Sequence, residues 1–515
     1  MKLNHIITSV LTGSAILFAG CSEKLNIPQH SVSEINSYYK TDAEAEEGII
    51  ACYDEVRALE NGLGSGMKFV KTHLSDDVWS GGGSHYDGTF YMLSDYTFSA
   101  DYSAISTLYE NLYKLVYRSN VVLERVTGTS DAMKRIVAEA RVFRAYAYFN
   151  LTIMWGTPPL IDHTLNEDEY MQGNSTTEAL WAFIEEDLKQ AINSGSLTQK
   201  TGVNAGTYRI TKQYAQALLG KSYVFQKKWQ EAATVLKEVI NSKLYALNPD
   251  MSNIETPLGG LTSESVFEIV QMNDRNVSTN NNLKWTMMGL RGEKYSYGES
   301  SPFATATWGY QNPRKDLYDA FVAVEGKDGY RLKNVIATFE RMEKEFQTVP
   351  IMDVTDNEGY WNLKQRILKS QWAGYFYANN DRIMRYNEVL LLAAEACLQS
   401  GDAASATAYI NEIRTRAQAP LINGTVSMDQ IKTESRLELC FEGQRYENLI
   451  RWGDAASALA KNGEKNPILH PDGTVGWESF NAAGKCGFKT GKHELLPFPS
   501  NEVMVNSNIQ QNPNW

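Results

Sequence analysis

Residues 139–159 have the sequence EARVFRAYAYFNLTIMWGTPP. In the helix that this stretch predicts, apolar and aromatic side chains lie on nearly every face, so the helix must pack against neighbours on several sides. Trp155-Gly156 ends the helix, and Pro158-Pro159 forbids its continuation. The stretch therefore predicts an inner helix of a helical array.

Helical patterns continue on both sides of this stretch. Apolar residues recur at helical spacing in 42–59, 102–126, 131–155, 177–193 and 211–241, the last of which forms a helical hairpin. These segments predict a mostly α-helical fold.

Two segments share a spacing typical of tetratricopeptide repeats. Small and aromatic residues fall at matching positions in both, which are Leu219-Gly220, Tyr223 and Ala232 in the first and Ala393-Ala394, Cys397 and Ala406 in the second. An alanine replaces the glycine in the second segment and still permits close contact between helices. The spacing predicts repeat hairpins in both halves of the chain.

Residues 251–380 separate the two halves and differ from them in composition. Glycine, asparagine, serine and aromatic residues replace the alanine-rich helical pattern. Residues 265–272 alternate in part and predict a strand, and the remainder predicts loops and short elements. Loops on a rigid scaffold commonly carry binding sites, so we expect the binding face here.

Five motifs resemble the signatures of one family. They are the Arg-Ala-x-x-Tyr-Phe run that closes on Trp-Gly-x-x-Pro in 139–159, the Arg-x-x-Glu-Val and Asn-x-x-Arg-x-Arg helices in 385–419, the Glu-Leu-x-Phe-Glu-Gly-x-Arg block in 434–453, Leu-Pro-Phe-Pro at 496–499 and the terminal QNPNW at 511–515. The chain is similar in these motifs to the SusD/RagB family of surface lipoproteins, which capture nutrients for TonB-dependent transporters in Bacteroidota.

The resemblance implies a fold and a function. The family's plan is a set of helical repeats with a long insertion that forms the binding face. A SusC-like TonB-dependent transporter is the implied partner, and an oligosaccharide or polysaccharide is the implied ligand. Two conservative departures, Asn514 for glycine and Trp515 for tyrosine, weaken the match little.

The N-terminus predicts export and lipidation. Residues 1–20 carry one cation, Lys2, before an apolar run that is too short to span a bilayer, which is typical of a secretory signal. Ala19-Gly20 precede Cys21 as in a bacterial lipobox, so we expect Cys21 to be lipidated and to anchor the protein to a membrane. The resemblance implies that this is the outer membrane and that the protein is exposed at the cell surface.

The domain organisation follows from these boundaries. After the signal peptide, residues 21–41 predict a lipidated tether, and 42–515 predict one SusD-like domain. Its parts are the N-terminal part at 42–250, the insertion at 251–380 and the C-terminal part at 381–515.

Composition excludes several classes of protein. A formal net charge of −12 is unfavourable for binding nucleic acid. The cysteines after Cys21 lack Cys-x-x-Cys spacing, and the seven histidines form no zinc motif. We therefore expect no disulfide framework, no metal site and no cofactor.

Two loop regions carry the candidate ligand-binding residues. Residues 75–91 combine aromatic side chains with three consecutive glycines that would allow close approach of a ligand, and residues 285–310 place aromatics among glycine, serine and threonine. Aromatic faces beside polar groups are typical of sugar sites. The predicted ligand-binding residues are Trp79, Tyr86, Trp285, Tyr295, Tyr297 and Trp308.

Other notable residues are interpreted as structural. The polar residues of the signature helices have apolar neighbours and predict buried ion pairs and packing; they are Arg144, Tyr148, Arg385, Glu388, Glu438, Glu442 and Arg445. Trp155 and Trp452 are interpreted in the same way. The acidic segment 353–361 lacks the order of an EF-hand loop and predicts a solvated turn.

No catalytic set is recognisable, so we expect no enzyme. Asp76-Asp77 could be imagined as a glycosidase pair, yet adjacent loop residues seldom face one glycosidic bond from opposite sides.

The preferred hypothesis is capture of an oligosaccharide or polysaccharide, and three spaced tryptophans would suit a β-glucan or xyloglucan chain. The alternatives are a RagB-like lipoprotein that captures peptides and a repeat adaptor for a protein partner.

Overall fold

The computed structural model describes residues 38–271, 283–372 and 377–515, so the predicted signal peptide and Cys21 lie outside the described residues. Two blocks of helices flank a middle segment of short strands and short helices, which confirms the mostly helical fold. The first block comprises α1 (Asp42–Asn61), α2 (Met67–His73), α3 (Tyr91–Asp95), α4 (Ser103–Arg125), α5 (Asp131–Trp155), α6 (Thr177–Asn193), α7 (Lys212–Phe225) and α8 (Trp229–Asn241).

The middle segment and the second block contain the remaining helices. They are α9 (Leu283–Met287), α10 (Lys315–Glu325), α11 (Tyr330–Val335), α12 (Phe339–Lys344), α13 (Tyr386–Gln399), α14 (Ala403–Arg416), α15 (Met428–Leu439), α16 (Gln444–Trp452), α17 (Ala455–Leu459) and α18 (Ser500–Val505).

The strands of the described residues are short and pair in five small sheets. They are β1 (Val78–Gly81), β2 (Ser265–Ile269), β3 (Tyr295–Tyr297), β4 (Tyr310–Pro313), β5 (Ile336–Thr338), β6 (Thr348–Pro350), β7 (Val354–Thr355), β8 (Tyr360–Asn362), β9 (Asp381–Arg385), β10 (Asn466–Leu469) and β11 (Val475–Glu478). The pairs β1–β4, β2–β9, β3–β6 and β5–β8 are antiparallel, and β10 lies between β7 and β11. The predicted loops and short elements of the insertion, and the strand predicted within 265–272, are confirmed.

The helices form one continuous array. Helix α4 packs between α1 and α5, and α6, α7 and α8 follow in turn, each against its predecessor. Helix α13 then packs against α8 and α14, so the repeats stack directly across the insertion. The β2–β9 pair, which begins with Ser265 opposite Arg385, brings the two ends of the insertion together beside this junction.

Local sequence explains where the central helices begin and end. The Ser130 side chain accepts a hydrogen bond from the Met133 amide at the start of α5, and Gly156 ends the helix with a φ of 79°. A Cβ at Gly220 in α7 would lie 2.5 Å from Leu236 in α8, so glycine is required for these two helices to approach. The tetratricopeptide-like spacing thus marks a true helix–helix contact.

The C-terminal motifs close over the end of α5. The Trp155 indole N–H donates to the Pro497 carbonyl at 2.8 Å, and the Asn512 amide donates to the Trp155 carbonyl at 3.0 Å. The Trp515 ring stacks on Phe98 with ring centres 5.1 Å apart. The C-terminal motifs therefore pack against the end of the α5 motif, although they are distant from it in sequence.

The polar residues of the signature helices form buried ion pairs and hydrogen bonds, as predicted. Arg144 contacts Asp187 through Nε at 2.8 Å and Nη2 at 2.9 Å. Arg385 Nε donates to Glu442 at 2.9 Å. The other members bind likewise: Tyr148 to the Ile161 backbone, Glu388 to Lys221, Glu438 to Arg331 and Arg416, and Arg445 to Asp76.

The four cysteines in the described ranges are buried and unpaired, and they are Cys52, Cys397, Cys440 and Cys486. Burial raises the pKa of the Cys52 thiol to about 12, which keeps it protonated and unreactive. Among the helices of the described residues, none is long and apolar enough to cross a membrane.

Candidate functional site

The two predicted loop regions meet in a β-ladder. Strand β1 comes from the first region and pairs with β4, which directly follows the second. Trp79 lies opposite Asn312, and Gly81 lies opposite Tyr310. The two predicted regions, which are distant in sequence, are therefore joined by this ladder.

The glycine run serves the packing of these strands. Gly81 has a φ of 82°, and a Cβ there would lie 2.3 Å from the Gly309 carbonyl oxygen. A Cβ at Gly82 would lie 2.6 Å from the Tyr310 ring, and one at Gly83 would lie 3.0 Å from Arg291. These glycines therefore allow other parts of the protein to pack closely against the chain, whereas the sequence had suggested close approach of a ligand.

Three of the six predicted ligand-binding residues are buried. Trp285 is 2% exposed and packs against Tyr377, whereas the Tyr295 hydroxyl accepts a hydrogen bond from the Trp361 indole at 2.9 Å. Trp79 is 8% exposed. The polar sequence around these residues had suggested exposure. They are buried because the short elements of the insertion pack on one another and form small hydrophobic cores.

The other three predicted residues reach the surface. Tyr86 is exposed, and Tyr297 and Trp308 are partly exposed. Tyr297 lies in β3 beside Tyr295, within the core cluster that also contains Trp361. Trp308 packs instead on a second cluster, built around Trp285 and Tyr310. A ligand-binding role for each of the six stays a prediction.

Three partly exposed rings lie on that second cluster, and we call them the ring face: Phe90, Trp308 and Trp372. Phe90 meets the buried Tyr310 edge-to-face at 5.0 Å, and Trp372 lies 6.3 Å from Tyr377. The Trp308 amide donates to the Thr286 carbonyl at 2.8 Å, which fixes its backbone. Sequence reasoning missed Phe90 and Trp372, although Phe90 lies inside the first predicted region.

Charged groups adjoin the ring face. Asp87 accepts hydrogen bonds from the Gly83 amide at 2.8 Å and from Arg291 Nη1 at 3.0 Å, and Arg291 Nε contacts Glu293 at 2.5 Å. Partial burial opposes the ionisation of Glu293, but the hydrogen bond from Arg291 outweighs it and lowers the pKa of the carboxyl. Carboxylates and a guanidinium beside aromatic rings are the groups that hydroxyl-rich ligands bind.

A second group of aromatic residues reaches the surface, and we call it the hairpin patch: Tyr86, Trp477 and Phe480. Trp477 is 50% exposed on β11 and lies edge-to-face with Trp79 at 6.0 Å. Sequence reasoning missed Trp477 and Phe480. The Asp472-Gly473 turn between β10 and β11 was the available signal, because Asp-Gly between two strands is typical of a hairpin.

His85 joins the segments that carry the hairpin patch. Its Nε2 lies 3.2 Å from Asp95 and its Nδ1 lies 3.2 Å from Asp356, and its ring stacks on Phe480 at 4.1 Å. Burial lowers the pKa of His85, but the two carboxylates outweigh it and raise the pKa to about 9. The imidazolium form is therefore the resident one at neutral pH.

The segment 353–361 is not the solvated turn that was predicted. Asp356 and Asn357 are fully buried, and Asp356 also accepts a hydrogen bond from Asn466 at 2.9 Å. The Asp356 carboxylate can be buried because the buried imidazolium of His85 compensates its charge. Within the described ranges, no group of three or more histidine, cysteine, aspartate or glutamate side chains is placed to hold a metal ion.

The adjacent carboxylates Asp76 and Asp77 are held by arginines. Asp76 contacts Arg445 Nε and Nη2 at 2.7 Å each, and Asp77 contacts Arg436 Nε at 2.9 Å. Burial opposes ionisation of Asp76, yet Arg436 and Arg445 lower its pKa to about 2. This geometry is a structural ion-pair cluster, which keeps the Asp76 carboxyl ionised.

Comparisons with known proteins agree with this architecture. A family model described as "Starch-binding associating with outer membrane" matches residues 34–227, and the SusD family model matches residues 350–515. The SusD-like protein P2 of Formosa agariphila is 24% identical over 531 residues, spanning 96% of this chain and 97% of that protein. A SusD-like protein of Bacteroides ovatus is 23% identical over 571 residues, spanning 98% of this chain and 97% of that protein.

Solved structures share the fold over nearly their full length. A laminarin-binding SusD-like protein superposes with a TM-score of 0.77 at 27% identity, covering 92% of this chain and 99% of that one. Surface glycan-binding protein A from Bacteroides uniformis gives a TM-score of 0.73 at 23% identity, covering 92% of this chain and 99% of that one. The sequence motifs, the helical array and these likenesses together identify the chain as a member of the SusD/RagB family.

Proposed function

We propose that this protein captures a β-glucan chain of the laminarin type at the cell surface, without breaking any bond. The observation that carries the proposal is the ring face, where Phe90, Trp308 and Trp372 lie partly exposed beside the charged Asp87–Arg291 pair. Sugar rings stack their C–H faces on aromatic rings, and their hydroxyls bind neighbouring charged groups. The similar protein that binds laminarin supports the choice of glucan.

The scaffold suits capture because it holds the ring face without rearrangement. The three rings rest on buried aromatic residues, and β1–β4 pairing joins the segments that carry Phe90 and Trp308. A site that is formed before binding loses little conformational entropy when ligand arrives. Stacking contributes about 0.5–1.5 kcal/mol per aromatic ring, so several rings are needed for useful affinity.

Affinity electrophoresis in gels containing laminarin, xyloglucan or starch tests the ligand. We expect laminarin to retard the protein most, and Trp308→Ala and Trp372→Ala each to weaken retention about 2- to 13-fold. Tyr208→Ala removes an exposed ring outside the ring face and is the matched control. Unchanged retention of both tryptophan variants, with native circular dichroism, would refute the ring face as the site. A peptide library that binds while every glycan fails would favour peptide capture.

We further propose that the protein is anchored in the outer membrane through Cys21 and delivers its ligand to a SusC-like TonB-dependent transporter. The family model described as associating with the outer membrane supports this localisation. Extraction of native membranes in mild detergent followed by pull-down should recover a TonB-dependent transporter in comparable amount. Recovery of the lipoprotein alone, with unimpaired glucan uptake in a deletion strain, would count against the delivery role.

A further inference from the structure

The hairpin patch is a second exposed aromatic surface that the proposed site does not use. Trp477 and Tyr86 expose 50% and 55% of their surface, and Phe480, which follows Trp477 closely in the sequence, is partly exposed. Tyr86 lies edge-to-face with Phe480 at 5.8 Å. Aromatic side chains are the main carriers of contact area in binding surfaces, so a cluster of three at the surface points to a ligand.

The side chains behind the patch are rigidly held. Trp79 lies under the edge of Trp477, and its indole N–H donates to Glu358 at 2.8 Å. The Arg314 guanidinium lies 4.0 Å from the centre of the Trp79 ring. Glu358 also accepts a hydrogen bond from the Lys315 amide at 2.7 Å, which ties it to the start of α10. Trp477 therefore rests on a fixed support.

The other two rings of the patch are fixed through His85. Phe480 stacks on the imidazole with an angle of 9° between the ring planes, and the Tyr86 hydroxyl donates to the Phe480 carbonyl at 3.1 Å. Asp95, which holds His85, also accepts a hydrogen bond from the Asn481 side chain at 2.7 Å. His85 is thus a positioning residue for this surface, which is formed before any ligand arrives.

The hairpin patch and the ring face are connected through the buried residues of the β1–β4 ladder. Trp79 touches Trp477, and Gly81 lies opposite Tyr310, against which Phe90 packs. Trp79 and Gly81 are two residues apart in β1, which corresponds to about 7 Å along the strand. Both aromatic groups therefore rest on one short ladder, with supporting residues about 7 Å apart.

We propose that Tyr86, Trp477 and Phe480 form a second sugar-stacking subsite, which engages residues of the same glucan chain beyond those bound at the ring face. The subsite discriminates by length, because a short oligosaccharide occupies only one of the two surfaces. A polymer spans both, and the second contact becomes intramolecular once the first has formed. This inference rests on the proposed function and adds the chain-length requirement to it.

Isothermal titration calorimetry with a laminari-oligosaccharide of three residues and with polymeric laminarin tests the subsite. We expect Trp477→Ala to weaken binding of the polymer about 3- to 10-fold while leaving the trisaccharide unchanged within twofold. Trp477→Phe keeps a stacking ring and should retain most of the affinity. Tyr208→Ala is again the matched control, because it removes an exposed ring elsewhere.

The outcomes separate this inference from the proposed function. If Trp477→Ala binds the polymer like the wild type while Trp308→Ala weakens it, the subsite is refuted and the ring face stands. If Trp477→Ala weakens both ligands equally, length discrimination is refuted. If the wild type binds no glucan, both proposals fail. A loss of self-association or of transporter recovery in Trp477→Ala, with polymer binding intact, would make the patch a protein interface and would overturn the subsite.

Discussion

Replacing His85 with glutamine should change how the stability of the protein depends on pH. His85 is 2% exposed and is held between Asp95 and Asp356 at 3.2 Å from each. Those carboxylates outweigh the effect of burial and raise its pKa from about 6.5 to about 9. Each pKa unit corresponds to about 1.4 kcal/mol, so the charged form contributes about 3 kcal/mol to the free energy of unfolding.

The sign of the pH dependence follows from the direction of the shift. Because the folded pKa lies above the unfolded one, the contribution is complete below about pH 6.5 and is lost as pH rises through about 9. Between pH 7 and pH 9 the wild type should lose about 2 kcal/mol that the His85→Gln variant, which has no proton to release there, should not lose. The two stabilities should therefore converge at alkaline pH.

Urea denaturation at several pH values between 6 and 10 measures this difference. The difference between the two proteins is the quantity to compare, because Glu139 and Lys200 also have pKa values of about 8 and titrate in both. His470→Gln removes an exposed histidine whose pKa is raised by a hydrogen bond with Asp353; it is the matched control and should change the slope less than His85→Gln does. Parallel stability curves for wild type and His85→Gln would refute the argument that His85 is charged in the folded protein.

Three further predictions concern the scaffold and the anchor. Glu442→Gln should lower the free energy of unfolding by about 3–5 kcal/mol in urea, because it leaves the buried Arg385 guanidinium short of its partner; a loss below 1 kcal/mol would contradict this. Gly82→Ala should destabilise by more than about 1 kcal/mol, because Gly82 has a φ of 95° and its Cβ would meet Tyr310; an unchanged midpoint would argue otherwise. Cys21→Ala should abolish metabolic labelling with palmitate, and persistent label would exclude lipidation at Cys21.

The sequence by itself determined the helical framework. The bounds of α5 and α6 agree with the predicted 131–155 and 177–193, because apolar periodicity and capping residues act within a few turns of chain. The ion-pair role of residues such as Arg385 and Glu442 was also predictable, because charged residues within apolar helices are buried with partners. Local signals are sufficient wherever local interactions decide the structure.

Only the tertiary structure decided which aromatic rings are exposed. Trp285 and Trp308 lie in equally polar segments, yet the first is buried and the second reaches the surface, because short elements of the insertion cover one and leave the other. Trp477 is far from both in sequence, and only tertiary packing brings it against Trp79. Exposure depends on contacts between distant segments, which no local pattern records.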